Sequence, residues 1–222
     1  MNYEELSQEE FTAFLLRKTK IAYEQSDIKT KSLYYSVAGT PIIKYKGVLI
    51  GLNWGGGSKN DMNNYIPQDL NKLNQSQPKD YRFIHSLFPF LQEYTKLNSI
   101  LDINYSNLCF FRSPKVSDLS PRDWELSSKL FEDYINYIQP PWILFTSLGR
   151  KPVSILLNHD DIEIKVQKDF KQGNKVFTAH KGLYRHQFKL LTVPYPYQAG
   201  GISKITRCRI WKWHFNLKNT YI

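Results

Sequence analysis

A chain of 222 residues with 41% hydrophobic and 15% aromatic residues is long and apolar enough for one large domain with a sizeable core. Its formal net charge of +10 points to a polyanionic partner, while its two cysteines, Cys109 and Cys208, exclude a zinc or cluster ligand set and argue against a disulfide scaffold. No apolar run reaches the roughly 18 residues of a membrane span, and the acidic start Met1-Asn2-Tyr3-Glu4-Glu5 is unlike a secretory signal, so a soluble cytoplasmic protein is expected.

Ser7 and Glu10 have capping-box spacing. Phe11, Phe14, Leu15, Lys18, Ile21 and Ala22 follow at helical intervals, which predicts an amphipathic first helix. Strand character is expected at Leu33–Val37 and Pro41–Tyr45. The run Gly47-Val48-Leu49-Ile50-Gly51-Leu52 reads as a buried parallel strand, and it ends in Asn53-Trp54-Gly55-Gly56-Gly57. Ligands bind beyond the carboxyl ends of strands in open α/β sheets, so Asn53 and this glycine loop are candidate site residues. The loop-like stretch 53–79 is long enough to suggest a functional loop.

A helix is predicted over Asp80–Leu97, with Phe83, Leu87, Phe88, Leu91 and Tyr94 inward and Pro89 a potential kink. Leu108–Phe111 reads as a second buried strand. Ser120-Pro121-Arg122-Asp123 is a helix start, and the helix runs to about Ile138 before Pro140-Pro141. Trp142–Phe145 is a third strand, and Gly149 opens a short helix to about Leu157. Val176–His180 and Phe188–Val193 are further strands. The turn Pro194-Tyr195-Pro196-Tyr197 follows, and Gly200-Gly201 precedes a last helix over about Ile202–Leu217. This alternation argues for a three-layer α/β/α sandwich with a central, largely parallel four-stranded sheet in one domain. Residues 46–217 form its core and 1–45 an N-terminal helix and extension.

Charge is distributed unevenly. Residues 1–169 carry 20 basic and 20 acidic side chains, whereas Phe170–Ile222 carries 10 basic and no acidic ones. A basic segment interleaved with aromatics is the electrostatic footprint of a nucleic-acid binder, or a solvated basic face.

Gly51-Leu52-Asn53-Trp54-Gly55-Gly56, Ser106-Asn107-Leu108-Cys109-Phe110-Phe111-Arg112-Ser113-Pro114, Pro140-Pro141-Trp142-Ile143-Leu144-Phe145-Thr146-Ser147-Leu148-Gly149-Arg150 and Leu190-Leu191-Thr192-Val193-Pro194-Tyr195-Pro196 together resemble the four motif segments of the uracil-DNA glycosylase superfamily. The likeness covers roughly residues 45–215 and is nearest to the Gly-x-Asn-x-Gly mismatch-type and single-strand-selective members. Trp54 stands where the family has proline, Val193 where it has a histidine that stabilises the departing base, and Tyr195 where it has serine. These departures make the chain an outlying branch, with a changed substrate or without catalysis.

The resemblance implies a monomeric DNA glycosylase without metal or cofactor, acting on damaged, modified or single-stranded DNA. It assigns Asn53 to orienting the attacking water and Asn107 to reading a flipped base. From the residues alone, Asn53 also suits capping its own loop and Asn107 a turn. Trp54 and Tyr65 are candidates for stacking on the base, or for core packing. Gly55, Gly56, Arg112, Ser113, Pro194, Tyr195, Tyr197, Gly200, Gly201, Lys204 and Arg207 are candidate DNA contacts, with Gly200-Gly201 offering backbone N–H groups to a phosphate. His180, His186 and His214 are candidates to replace the missing histidine.

Overall fold

The structure, a computed structural model, describes residues 2–28, 35–54, 82–113, 115–147, 154, 160–194 and 201–215. The fold is mixed α/β. The chain divides into two compact units, Met1–Asn71 with Ile103–Pro140 and Lys72–Asp102 with Pro141–Ile222. Each unit combines two separate stretches of chain.

The first unit contains α1 (Gln8–Glu24), β1 (Val48–Trp54), β2 (Asn104–Arg112) and α3 (Pro121–Ile138). Local chemistry explains both helix starts. Ser7 with Glu10 and Ser120 with Asp123 form reciprocal capping boxes, and Pro121 occupies the first turn of α3. Strands β1 and β2 pair in parallel. The other edge of β2 is covered by the chain before β1. Ser36 N–H donates to Phe110 O at 3.0 Å, Gly39 N–H donates to Tyr105 O at 2.8 Å, and Tyr35 forms a single antiparallel bridge to Phe111. The Asn104 amide completes the seam by accepting from Ile43 N–H at 2.7 Å and donating to Ile43 O at 2.9 Å. Backbone groups along β2 thus have partners without a full extra strand. The expected strand at Leu33–Val37 reduces to the Tyr35 bridge among the described residues, and Pro41–Tyr45 is not a strand.

The N-terminal residues are part of this core, not an extension beside it. Phe11, Leu15, Val37 and Ile42 are fully buried. The Phe11 ring stacks on Tyr137 of α3 with centroids 3.8 Å apart. Ile21, expected inward, is exposed instead.

The second unit contains α2 (Arg82–Thr95), β3 (Ile143–Phe145), β4 (Ile162–Gln172), β5 (Lys175–Tyr184), β6 (Phe188–Thr192) and α4 (Lys204–Phe215). Strands β3 and β6 pair in parallel, while β5 pairs antiparallel with both β4 and β6. The long β4 was not expected from the sequence; in chain order it makes a hairpin with β5 between β3 and β6, and in the sheet that hairpin lies beyond β6. Gly173, at φ +54°, turns that hairpin where other residue types would be strained. Helix α2 carries Pro89 inside it and packs Phe90 and Tyr94 on Trp211 of α4, with centroids 5.5 and 6.0 Å apart. The short helix expected at 149–157 lies, but for Ser154, outside the described residues. Among the described residues no helix is long and apolar enough to cross a membrane.

Phe11→Ala removes a fully buried ring from the first unit and is expected to cost about 3–5 kcal/mol in urea unfolding. A loss below about 1 kcal/mol, the scale of an ordinary surface change, would contradict a core role for the N-terminal helix.

Candidate functional site

Register places two candidate residues on adjacent parallel strands. Asn107 of β2 is the partner of Gly51 in β1, and Asn53 is the partner of Cys109. The pairing then slips, because Trp54 is next matched to Arg112. Bulges of this kind terminate pairing and re-aim side chains beside active sites. This one lies where β1 leaves the sheet.

Gly51 leaves space for its neighbour. A Cβ at position 51 would sit 2.2 Å from Asn107 Oδ1, well inside contact distance, so the glycine leaves room for the Asn107 amide. Asn107 is only 3% exposed. Its Nδ2 group is buried and has no hydrogen-bond partner among the described residues. Leaving a buried donor unmade costs about 1–3 kcal/mol. The neighbouring polar residues of β2 contrast with it. Asn104 makes both kinds of bond through its amide, and the Ser106 hydroxyl donates to Val37 O at 2.6 Å. Asn107 therefore offers two amide hydrogens to a group that the described residues do not supply.

The backbone of Asn53 is placed in β1, but its side chain lies outside the described atoms. Trp54 is half-buried, and its ring meets Tyr105 edge-on at 5.3 Å. That contact anchors the indole within the first unit. Arg112 and Ser113 are both buried, and the Ser113 hydroxyl donates to Lys115 O at 2.7 Å. The Ser113 bond holds the turn after β2. Gly55, Gly56, Tyr65, Tyr195, Tyr197 and Gly200 lie outside the described residues.

In the second unit, Pro194 is buried at the end of β6. Gly201 has φ +71°, and its carbonyl accepts from Gln172 Nε2 at 2.6 Å. The last helix starts two residues after the expected Ile202. Ser203 caps it, with its hydroxyl accepting from Thr206 N–H at 3.1 Å, and Lys204 is its first residue. The cap engages Thr206 N–H, one of the first amides of the helix. Lys204 is exposed, while Arg207 is half-buried with its Nε shielded from solvent.

Val193 is fully buried, and its N–H donates to Phe145 O at 2.8 Å. Of the candidate substitutes, His186 lies in the β5–β6 turn, pairs with Glu163 at 3.0 Å and has an exposed side chain. His180 is buried on β5, and burial lowers its pKa. His214 of α4 is 2% exposed and donates from Nε2 to Thr192 O at 2.6 Å. Burial holds its imidazole down to about 3, the Thr192 carbonyl opposes that shift, and the charges of Lys181, Lys189 and His180 reinforce it. The neutral ring therefore keeps its one proton on Nε2, and Nδ1 is left as an acceptor. It ties α4 to the end of β6 and has no second proton for a departing base.

The sign of the pH effect follows from that depressed value. An unfolded histidine takes up a proton near pH 6.5, whereas the folded His214 resists protonation down to about 3. Its contribution to stability is complete above pH 6.5 and falls away as the pH drops toward 3. His214→Gln is expected to flatten the loss of stability between pH 6.5 and 4, read from urea midpoints. An unchanged slope would contradict the buried neutral state of this ring.

No family model and no curated protein matches this chain in sequence.

Proposed function

We propose that this chain is a DNA glycosylase with a uracil-DNA glycosylase-like arrangement, hydrolysing the N-glycosidic bond of a uracil-like, damaged or modified base. The observation that carries the reading is the buried, unpaired amide of Asn107, held against the bare backbone of Gly51 and two strand positions short of Asn53. A base taken out of the stack presents ring carbonyl and nitrogen acceptors, and an amide donor in a dry niche suits them. Satisfying a donor that is otherwise unpaired favours the bound base and disfavours one lacking the acceptor.

In this reading the strands that answer to the family's four are β1, β2, β3 and β6. The β4–β5 hairpin is an addition to a three-layer α/β/α domain. Asn53, where β1 ends, orients a water toward the anomeric carbon. The water oxygen forms a bond to that carbon as the carbon–nitrogen bond breaks. The bonding electron pair leaves with the base, and the proton released by the water passes to solvent or to the base. No cofactor is needed for this hydrolysis. The protein acts as a cytoplasmic monomer on damaged, modified or single-stranded DNA.

A second reading, a catalytically silent module that binds flipped, abasic or single-stranded DNA, is favoured by one observation. Val193 is buried and apolar where the family has its histidine, and the described His214 uses its only proton on Thr192. In that reading the Asn107 niche would still hold a base without cleaving its bond.

Incubation with DNA carrying uracil, mismatched, deaminated, alkylated or hypermodified bases, with mass-spectrometric detection of freed base, separates the two readings. Wild-type protein is expected to release base, and Asn53→Ala to lose about 10²-fold or more of that activity while keeping DNA affinity within about twofold. Equal turnover by both proteins would remove Asn53 from the mechanism. Retained binding without release from any substrate would leave the silent module.

A further inference from the structure

We propose that Lys168, Lys181 and Lys189, on the α4-bearing face of the β4–β5–β6 sheet, form a binding surface for the phosphodiester backbone of a single nucleic-acid strand. The choice of a nucleic-acid strand as the polyanion rests on the reading above.

Register brings these lysines together. Lys181 of β5 is matched to Val166 of β4 and Leu191 of β6, Lys168 is matched to Ala179, and Lys189 is matched to Leu183. Strand alternation then puts Lys168, Lys181 and Lys189 on one face, stepping diagonally across three strands. Diagonal neighbours in a sheet lie about 7–8 Å apart, a stagger similar to that of successive phosphates along an extended strand. Phe170, Ala179, Ile202 and Ile210 form the adjoining apolar cluster, with Phe177 and Trp213 against it, so this is the face that α4 covers in part.

Lys181 is the unusual member. It is 6% exposed, yet it has no carboxylate partner among the described residues. Its Nζ lies 4.5 Å from the centre of the Trp213 ring. Lysines this buried are ordinarily paired. Burial lowers its pKa, and the charges of Lys189 and Lys168 lower it further, so a bound polyanion would relieve both neighbours' repulsion. Lys168 is exposed, with its Nζ 5.7 Å from the Phe170 ring centre, and Lys189 is half-buried.

The carboxylates nearest in the fold are committed elsewhere. Glu163, matched to Leu183 and so on the same face, pairs with Lys165 and His186. Asp169 alternates to the opposite face and accepts from Thr178 Oγ1 at 2.6 Å. From Phe170 to Ile222 there is no acidic residue at all. Charge complementarity therefore selects an anionic partner, and three lysines staggered on consecutive strands suit a chain of phosphates better than one compact anion.

The test is a fluorescence-anisotropy titration of a labelled oligothymidine strand at several KCl concentrations. The proteins are wild type, Lys168→Gln/Lys189→Gln, Lys181→Met, which keeps the apolar stem over Trp213, and the triple variant. Thermal unfolding checks that each is folded. The triple variant is expected to bind at least tenfold more weakly at low salt. Its slope of log affinity against log salt is expected to be shallower by about two, from roughly 0.7 per phosphate contact on single strands. Wild-type affinity and slope in the folded double variant would overturn the proposal. So would salt-insensitive binding by wild type, or binding to phosphatidylserine vesicles with none to the oligonucleotide. Lysine-dependent binding without base release on any substrate would support this surface while overturning the glycosylase reading. Base release with lysine-independent binding would do the reverse.

Discussion

The space over Gly51 is the constraint on which the account of the first unit turns. A parallel pair of buried strands ordinarily fills its faces with apolar side chains, and Val48, Leu49 and Ile50 do so in β1. At the next position the side chain is missing, and the Asn107 amide from β2 fills the place, where a Cβ would lie 2.2 Å from its oxygen. Everything that holds β2 in register also holds this amide: the parallel pairing with β1, the bridge at Tyr35, and the Asn104 bonds to Ile43. On the same strand the side chains of Asn104 and Ser106 make their hydrogen bonds, whereas Asn107 Nδ2 makes none among the described residues.

The second unit is organised by a different balance. Its β4–β5 hairpin carries charge on strands that would otherwise pack, and α4 brings Trp211 and His214 into the interior with basic residues outside. A buried neutral imidazole bonded to Thr192 O fixes the helix to the strand end. The same geometry commits the proton that a base-stabilising histidine would need. Catalytic capacity, in the reading offered here, then depends on how well the base departs with help from solvent and from the Asn107 amide. The proposed strand gripping and the proposed base reading fall to different groups, the lysines of β4–β6 and Asn107, which makes them separable by substitution.

The sequence made some of this legible and hid the rest for identifiable reasons. Helix α3 was readable to within a residue because Ser120, Pro121 and Asp123 act on their own turn, and capping chemistry is local. Strand β1 was readable because its apolar run is short and bounded by glycines. Strand β4 was not, since the alternation of Ile162, Ile164 and Val166 lapses at Gln167-Lys168-Asp169 and most of the strand is exposed. The N-terminal helix was read correctly as a helix but placed outside the core, because its partner Tyr137 lies far along the chain. For the same reason Asn107 was ambiguous in sequence. A turn asparagine and a buried unpaired one look alike until the residue opposite, Gly51, is known. The start of α4 was readable to within two residues, Ile202 for Lys204, because Gly200-Gly201 marks the break before it and Ser203 supplies the cap.

The most direct measurement is an NMR titration of the Asn107 side-chain amide, assigned by its loss in Asn107→Asp, with uracil, hypoxanthine and xanthine as free bases. The Nδ2 proton pair is expected to shift downfield and to be protected from solvent exchange on addition of at least one base, as an unpaired donor gains an acceptor. An Asn107 amide that neither shifts nor gains protection at saturating base, in a protein that still binds an oligonucleotide, would contradict the base-reading niche.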